Sequence, residues 1–267
     1  MSFLCKLLAF FLIAANLPAA EQRLLRIAAD PNNLPFSNDK LEGFENKIAE
    51  LVAKELNAKI EYVWRAQRRG FFRETFKEGN CNLVMGVPWN FDPVLSTDPY
   101  YQSTYVAVSK KGKLPGLASL ADERLKTARI GVHLVGDDGF NTPPVHALTE
   151  LNIITNMVGF TIYGNYAESN PPSRIIDAVK NGEIDAAVVW GPFGGFFSRD
   201  QTSALVITPI PSPSPGDLPF TFKISMGVRK KDAELRDKLN EVIRRKKHEI
   251  QKILKDFHIP EIQLPEK

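Results

Sequence analysis

The chain has 267 residues, of which 24% are charged and 43% hydrophobic, and its formal net charge is +3. A chain of this length and composition buries one or two hydrophobic cores, which excludes disorder and a simple fibre. A net charge so close to zero argues against nucleic-acid binding and against strong attraction to a membrane.

The first twenty residues form a segment of their own. Lys6 precedes the apolar run LLAFFLIAANL, which has the length of a signal-peptide core and is too short to span a membrane. We predict a cleaved secretory signal peptide over 1–20. The alternative is an N-terminal membrane anchor, because Pro18 fits the cleavage rule poorly. No later stretch is apolar enough to span a bilayer, and cleavage leaves Cys81 as the one cysteine.

Apolar strands alternate with amphipathic helices after this segment. LLRIAAD predicts a strand, PNNLPFSND a turn, and the apolar spacing that follows a helix beginning near Gly43. KIEYVWR predicts the next strand, GFFRETFKEG a helix, and CNLVMGV a buried strand. This order predicts a parallel sheet with a ligand crevice in the loops after Asp30, Arg65 and Gly86, at the carboxyl ends of the strands.

A second unit of the same kind follows YQSTYVAVSKKG. Its predicted strands are ARIGVH, FTIYG and IDAAVVW, its helices are TPPVHALTELN and PPSRIIDAVKNG, and its carboxyl-end loops are GDDGFN, GNYAESN and GPFGGFF. The proline-rich stretch PIPSPSPGDLPF then breaks the pattern, before a strand at TFKISMGVRK and one final helix.

The sequence therefore predicts two α/β lobes with a cleft between them. Lobe 1 comprises 21–109 and 222–267, and lobe 2 comprises 110–221. The chain is expected to cross between the lobes near 108–113 and near 211–221. Two lobes that face each other across their strand ends have the shape of a solute receptor.

Seven stretches, in this order and spacing, carry a resemblance to a known family. From about Leu24 to Pro260 the chain resembles the family 3 extracellular solute-binding proteins. Within them it is similar to the quinoprotein-dehydrogenase-associated branch, the J-type proteins of methanol dehydrogenase systems. The stretches are RIAADPNNLPFSN, QRRGF, MGVP, STDPYYQSTYV, IGVHLVGDDGFNTPP, IYGNYAESNPPSRIIDAVKNGEID and AVVWGPFGGFF. Each stretch alone is weak evidence for the family, whereas the whole set in this order is specific evidence for it.

The resemblance implies a periplasmic protein of the type II binding-protein fold without a catalytic centre. It also implies that the protein supports a quinoprotein alcohol dehydrogenase, by binding or activating it or by handling a solute linked to it. The cofactor pyrroloquinoline quinone (PQQ) then belongs to that partner, and none is expected in this chain. Members of the branch often carry a cysteine where this chain has Ala28, matched to the one at Cys81. Here Cys81 is expected to be a buried free thiol.

The candidate cleft residues come from this resemblance and from the loops. Receptors for amino acids carry an arginine that grips the ligand's carboxylate between Gly86 and DPYY, and this chain has Trp89 in that space. Asn32 and Asn33 either contact a neutral polar molecule or hold a turn, and Phe36 is expected to lie against a ligand. The full set is Asn32, Asn33, Phe36, Arg68, Gly86, Trp89, Tyr101, Asp137, Asp138, Asn141 and Trp190.

The charged candidates have more than one interpretation. Arg65, Arg68 and Arg69 follow a strand at the cleft end of lobe 1. Either one of them replaces the missing arginine, or the three form a solvated rim or a partner surface. Asp137 and Asp138 either cap a helix or favour an amine, a hydroxyl or a cation.

Aromatic residues suggest a surface for a protein partner. Phe193, Phe196 and Phe197, together with Arg69, are candidates for such a surface if the aromatic side chains are exposed. The alternative is that the three rings form local core.

Three functions remain. The first is an accessory protein of a PQQ-dependent alcohol or methanol dehydrogenase. The second is an ABC-transporter receptor for a small polar ligand other than an amino acid. The third is a cleft enzyme such as a dehydratase, in which Glu168, Asp137 or Asp138 would act as acid or base. Neither a catalytic motif nor a metal-ligand spacing among the four His selects a reaction, so we expect neither catalysis nor a bound metal.

Overall fold

The computed structural model describes residues 22–134, 141–162, 166–200, 202, 204–212 and 218–262. The predicted signal peptide over 1–20 lies outside these residues, as do Asp137 and Asp138. No helix within the described ranges is long and apolar enough to cross a membrane.

Twelve strands and six α-helices occur in the described part of the chain. The strands are β1 (Arg23–Ala29), β2 (Asn32–Asn33), β3 (Ser37–Asn38), β4 (Ala58–Trp64), β5 (Leu83–Pro88), β6 (Leu95–Ser96), β7 (Tyr101–Lys110), β8 (Ile130–Leu134), β9 (Met157–Thr161), β10 (Ala186–Trp190), β11 (Leu205–Pro209) and β12 (Thr221–Val228). The α-helices are α1 (Phe44–Glu55), α2 (Pro143–Glu150), α3 (Arg174–Asn181), α4 (Gly191–Phe197), α5 (Ala233–Arg245) and α6 (Lys247–Asp256). Short 3-10 helices lie at Glu123–Lys126 and Pro171–Ser173, and a π-helix lies at Arg73–Lys77.

Lobe 1 is built on strands in the order β4-β1-β5-β12. Strand β1 runs parallel to β4 and β5, and β12 runs antiparallel to β5. Helix α1 buries Phe44, Ile48 and Val52 in the same core as residues of α5 and α6, because these side chains recur at helical spacing. The parallel β1-β4-β5 arrangement places three loops together at one end of the lobe.

In lobe 2 the strands follow the order β7-β10-β8-β9, and β11 pairs with β7. Strands β8, β9 and β10 are parallel, and β7 runs antiparallel to β10. One core contains Leu125, Ile130 and Leu148, and the other contains Ile175 and Val189. The predicted architecture of two α/β lobes is confirmed.

Strand β7 belongs to both lobes. It pairs with β12 as far as Thr104 and with β10 from Tyr105 onward. Strand pairing therefore places the first crossing at Thr104–Tyr105, whereas the sequence predicts it near 108–113. The second crossing, predicted near 211–221, falls between β11 and β12, where residues 213–217 lie outside the described ranges.

Several elements differ from the sequence prediction. GPFGGFF is predicted as a loop but forms α4, although Gly has poor helix propensity. Gly194 allows α4 to approach β7 closely, since an ideal Cβ on it would lie 2.5 Å from Val106 Cγ2. Tertiary packing thus overrides local propensity. The final helix consists of two helices that meet at Lys246, and β11 is a strand that the sequence does not predict.

We expect Gly195→Ala to lower the melting temperature strongly. A Cβ at Gly195 would collide with the backbone carbonyl of His258 and lie 2.8 Å from Pro260 Cδ, so the segment after α6 would have to move away from α4. The control is Gly112→Ala, where φ is +83° and a Cβ meets no atom within 4 Å. That variant loses only about 1–2 kcal/mol through left-handed backbone strain. Equal melting temperatures by circular dichroism would contradict this close packing.

Candidate functional site

Asp30 lies at the buried centre of the loops on the lobe 1 side of the cleft. It follows β1, is 2% exposed, and accepts hydrogen bonds from the backbone N–H groups of Asn32 (2.9 Å) and Gln67 (2.7 Å). Burial raises the pKa of Asp30, while these hydrogen bonds and the charge of Arg68 oppose that rise. The sequence prediction named the loop after Asp30 but missed its carboxylate, whose signal is an acid at the carboxyl end of a parallel strand.

Two polar contacts join these loops to lobe 2. The hydroxyl of Tyr166 donates to Asp30 Oδ2 at 3.1 Å, and Asn32 Nδ2 donates to the backbone carbonyl of Glu168 at 2.8 Å. The Glu168 carboxylate pairs with Arg174 at 3.4 Å. The side-chain amide of Asn32, a predicted ligand contact, thus donates to the protein backbone of lobe 2.

The side chain of Asn33 forms a hydrogen bond within lobe 1. Its side chain is buried, and its Nδ2 donates to Gln67 Oε1 at 3.1 Å. Its Oδ1 is buried without a hydrogen-bond donor among the described residues. An unpaired buried acceptor is costly, so this oxygen is a place where a ligand N–H or a water would be stabilised.

Phe36 contacts lobe 2 directly. Its ring lies edge-on to that of Phe193, with 5.1 Å between centroids, and Phe193 lies 5.0 Å from the ring of His133. His133 is fully buried, and burial lowers its pKa to about 3, so its ring is neutral at physiological pH. The face of the cleft predicted to hold a ligand against Phe36 is thus occupied by an aromatic side chain of the same protein.

The predicted partner surface at Phe193, Phe196 and Phe197 is wrong. The three side chains are 4%, 9% and 9% exposed. Phe196 stacks on Phe257 of lobe 1 with 5.8 Å between centroids, because α4 lies close to the end of α6. These aromatic residues form the core of lobe 2 and its contact with lobe 1.

Trp89 lies at the surface of lobe 1 and is 46% exposed. Lys223 Nζ lies 5.2 Å from its ring centroid, and the side chain borders a groove that it shares with Lys230 and Arg236. The structure therefore groups Trp89 with basic residues of lobe 1, whereas Asn32 and Phe36 contact lobe 2.

Tyr101 and Gly86 have structural roles beside Glu45. Tyr101 is 1% exposed and packs on Phe44 with 5.8 Å between centroids, so the prediction that it contacts a ligand is wrong. Gly86 lies in a β-bulge of the β5–β12 pairing, and a Cβ there would collide with the Glu45 carboxylate. Burial raises the pKa of Glu45 to about 8. The sequence prediction missed this acid, which lies in the first turn of α1.

The remaining candidate residues lie at the surface of the protein or where the two lobes join. Arg68 and Arg69 are exposed and line one groove with Phe72. Asn141 is partly buried, just before α2. Trp190 packs against Tyr105 (5.4 Å) and Phe222 (5.8 Å) where the lobes join.

Cys81 and the metal-binding residue types are further candidates for reactive chemistry in the part of the chain that the structure describes. Cys81 is a buried free thiol, and burial raises its pKa to about 11, so it stays protonated. No group of three or more His, Cys, Asp or Glu among the described residues is placed to hold a metal ion.

Comparisons with known proteins agree with this fold. A sequence profile of the bacterial extracellular solute-binding proteins, family 3, matches residues 25–259. Protein MoxJ of Methylorubrum extorquens is 28% identical over 92% of this chain and 84% of its own length. Protein MoxJ of Paracoccus denitrificans is 26% identical over 93% of each. The crystal structure of the periplasmic binding protein XoxJ from Methylobacterium extorquens is 34% identical, with a TM-score of 0.73, and the match covers 90% of this chain and 100% of that one. The predicted type II binding-protein fold is confirmed.

We expect Glu45→Gln to remove part of the pH dependence of stability. The folded-state pKa of about 8 exceeds the ordinary value of 4.5, so the wild-type carboxyl loses folding free energy as pH rises from about 4.5 to 8. Relative to wild type, the variant should gain stability over this window, by a few kcal/mol at most. Urea unfolding at pH 5 and pH 8 measures the difference. Glu50→Gln, at an exposed position of the same helix, is the control, and an equal pH effect there would contradict the assignment.

We expect Phe36→Ala and Phe193→Ala to couple energetically. A double-mutant cycle on the free energy of unfolding should give an interaction of about 0.5–1.5 kcal/mol, the usual value for an aromatic pair in contact. The control cycle combines Phe36→Ala with Phe91→Ala, since Phe91 packs in a separate cluster. Additive effects in the first cycle would mean that the lobes do not meet at these rings in solution.

Proposed function

We propose that this chain, which belongs to the bacterial extracellular solute-binding proteins of family 3, serves as an accessory protein of a PQQ-dependent alcohol or methanol dehydrogenase. It reaches the periplasm through a cleaved signal peptide over 1–20. It acts without catalysis of its own, by binding or activating the dehydrogenase, which holds the PQQ. The likeness to MoxJ and XoxJ supports this role.

The observation that favours this role over solute transport is the contact of Phe36 with Phe193. A two-lobed receptor encloses its ligand between the lobes and buries most of the ligand's surface. With 5.1 Å between the two ring centroids, no solute fits between these side chains. A ligand entering there would have to separate an aromatic pair and expose both rings to water, which costs more than about 1 kcal/mol.

The charges at the cleft also argue against an amino-acid ligand. Trp89 stands where an arginine would form a bidentate contact with a ligand carboxylate. Asp30 and Glu45 place two acids on the lobe 1 side, close to the loops that would receive that carboxylate. A free carboxylate in these loops would therefore meet like charge when these acids are ionised, although the charge of Arg68 also reaches Asp30.

A receptor for a small polar solute is the second candidate function. Asn33 Oδ1 is buried without a donor, and no described residue forms an ion pair with Glu45. A neutral or cationic ligand with N–H groups would satisfy both acceptors once the lobes had opened. The unpaired Asn33 Oδ1 and the Glu45 carboxyl, which has no ion-pair partner among the described residues, are what favour this candidate.

Native mass spectrometry tests the accessory role. The mature chain, residues 21–267, mixed with a quinoprotein alcohol dehydrogenase purified from the same organism, is expected to form a complex. As a control, calorimetric titration with glutamine and with arginine is expected to give no binding heat. A small-molecule adduct on the chain released from its periplasm, with no dehydrogenase complex, would instead establish the receptor.

A further inference from the structure

Three adjoining grooves form one continuous face on lobe 1. Their volumes are about 500, 560 and 560 Å³. The first shares Phe72 and Arg73 with the third, and it shares Lys230 with the second. The lining residues come from three segments, 67–77, 89–98 and 229–240. We call these lining residues together the aromatic–basic face.

This face carries a concentration of positive charge. Eight basic and two acidic residues line it, a net charge of +6, although the whole chain carries only +3. The basic residues are Arg68, Arg69, Arg73, Lys77, Arg229, Lys230, Lys231 and Arg236, and the acidic residues are Asp92 and Asp98.

Nearby carboxylates neutralise only part of this charge. Glu74 and Glu78 pair with Arg73, and Asp237 pairs with Arg236. With these three acids counted and Arg69 left out of the sum, the face keeps a net charge of +2. Lys77 and Lys231 form no ion pair with any described residue. An excess of positive charge on one side of a nearly neutral protein orients it toward an acidic partner.

Aromatic side chains form the centre of the face. Phe72 lies 5.8 Å from Phe76 and 5.1 Å from Phe91 between ring centroids, and all three are only partly buried. Trp89, at 46% exposure, extends this apolar area. Partly exposed aromatic rings surrounded by charged residues are the composition of a protein–protein interface, in which the aromatic residues contribute most of the binding free energy.

The three segments are held in place before any partner binds. Arg229 donates to the backbone carbonyls of Cys81 at 2.6 Å and Gly79 at 2.8 Å, which connects the loop after β12 to the end of the π-helix. Lys230 pairs with Asp92 at 3.3 Å and so connects the same loop to the one after β5. A face ordered in advance loses little conformational entropy on binding.

We propose that the aromatic–basic face is the surface through which this chain binds a carboxylate-rich face of its protein partner. The inference rests on the proposed function, in which that partner is the quinoprotein dehydrogenase. A protein fits better than a small anion, because the charges are spread along three grooves and do not converge on one point. A protein also fits better than a nucleic acid or a membrane, because the centre of the face is a cluster of partly exposed aromatic rings, as in protein–protein interfaces.

Charge reversal tests the surface. The dissociation constant for the purified dehydrogenase is measured by biolayer interferometry for wild type, for Lys77→Glu with Lys231→Glu, and for Trp89→Ala. All three substituted residues line the face, and the two lysines are exposed, so the fold is expected to survive. Each variant should weaken binding about tenfold or more. The weakening from charge reversal should shrink as salt is raised.

The matched control is Lys40→Glu with Lys111→Glu. These lysines are exposed, lie outside the face, and give the same change in net charge. Binding within about twofold of wild type is expected, because the total charge contributes less than the local charge at the contact. Equal weakening by the control pair would overturn the surface assignment.

The failures of the two proposals are distinguishable. If wild type binds the dehydrogenase and both face variants bind equally well, the surface is wrong and the proposed function stands. If wild type does not bind the dehydrogenase at all, the proposed function and the surface both fall. Loss of binding to phosphatidylglycerol vesicles in the lysine variant, with unchanged dehydrogenase binding, would assign the face to a membrane and overturn the proposal.

Discussion

The packing of Phe36 on Phe193 is the contact on which the relation between the lobes depends. In the described part of the chain, the backbone passes from one lobe to the other within β7 and between β11 and β12. Backbone pairing at these crossings fixes where the lobes join but leaves their closure to side chains. The aromatic pair and the Tyr166–Asp30 hydrogen bond bring the two faces of the cleft together.

The position of helix α4 makes that contact possible. Its sequence, GPFGGFF, is a poor helix former, yet its glycines allow it to lie against β7 and against the segment after α6. This close approach brings Phe193 to Phe36 and Phe196 to Phe257. Packing energy gained across two lobes thus compensates for weak local propensity.

A filled cleft and a charged outer face are consistent with one another. The inner side chains meet through ring packing and short polar contacts. Lobe 1 meanwhile presents exposed aromatic and basic side chains on a face that reaches the cleft loops at Gln67. Trp89 belongs to this outer group, so the residue that stands in place of the expected arginine contributes to the exterior of the lobe.

The sequence by itself determined the alternation of strands and helices, the two lobes, the family and the free thiol of Cys81, because periodicity and motif order are properties of neighbouring residues. Only the tertiary structure decided that Phe193, Phe196 and Tyr101 are buried, that Trp89 is exposed, and that Asp30 and Glu45 are the acids at the cleft. It also decided that GPFGGFF forms a helix. The physical reason is that the burial of a side chain depends on which segments pack together across a sheet or between lobes. That packing involves residues that are distant in the chain.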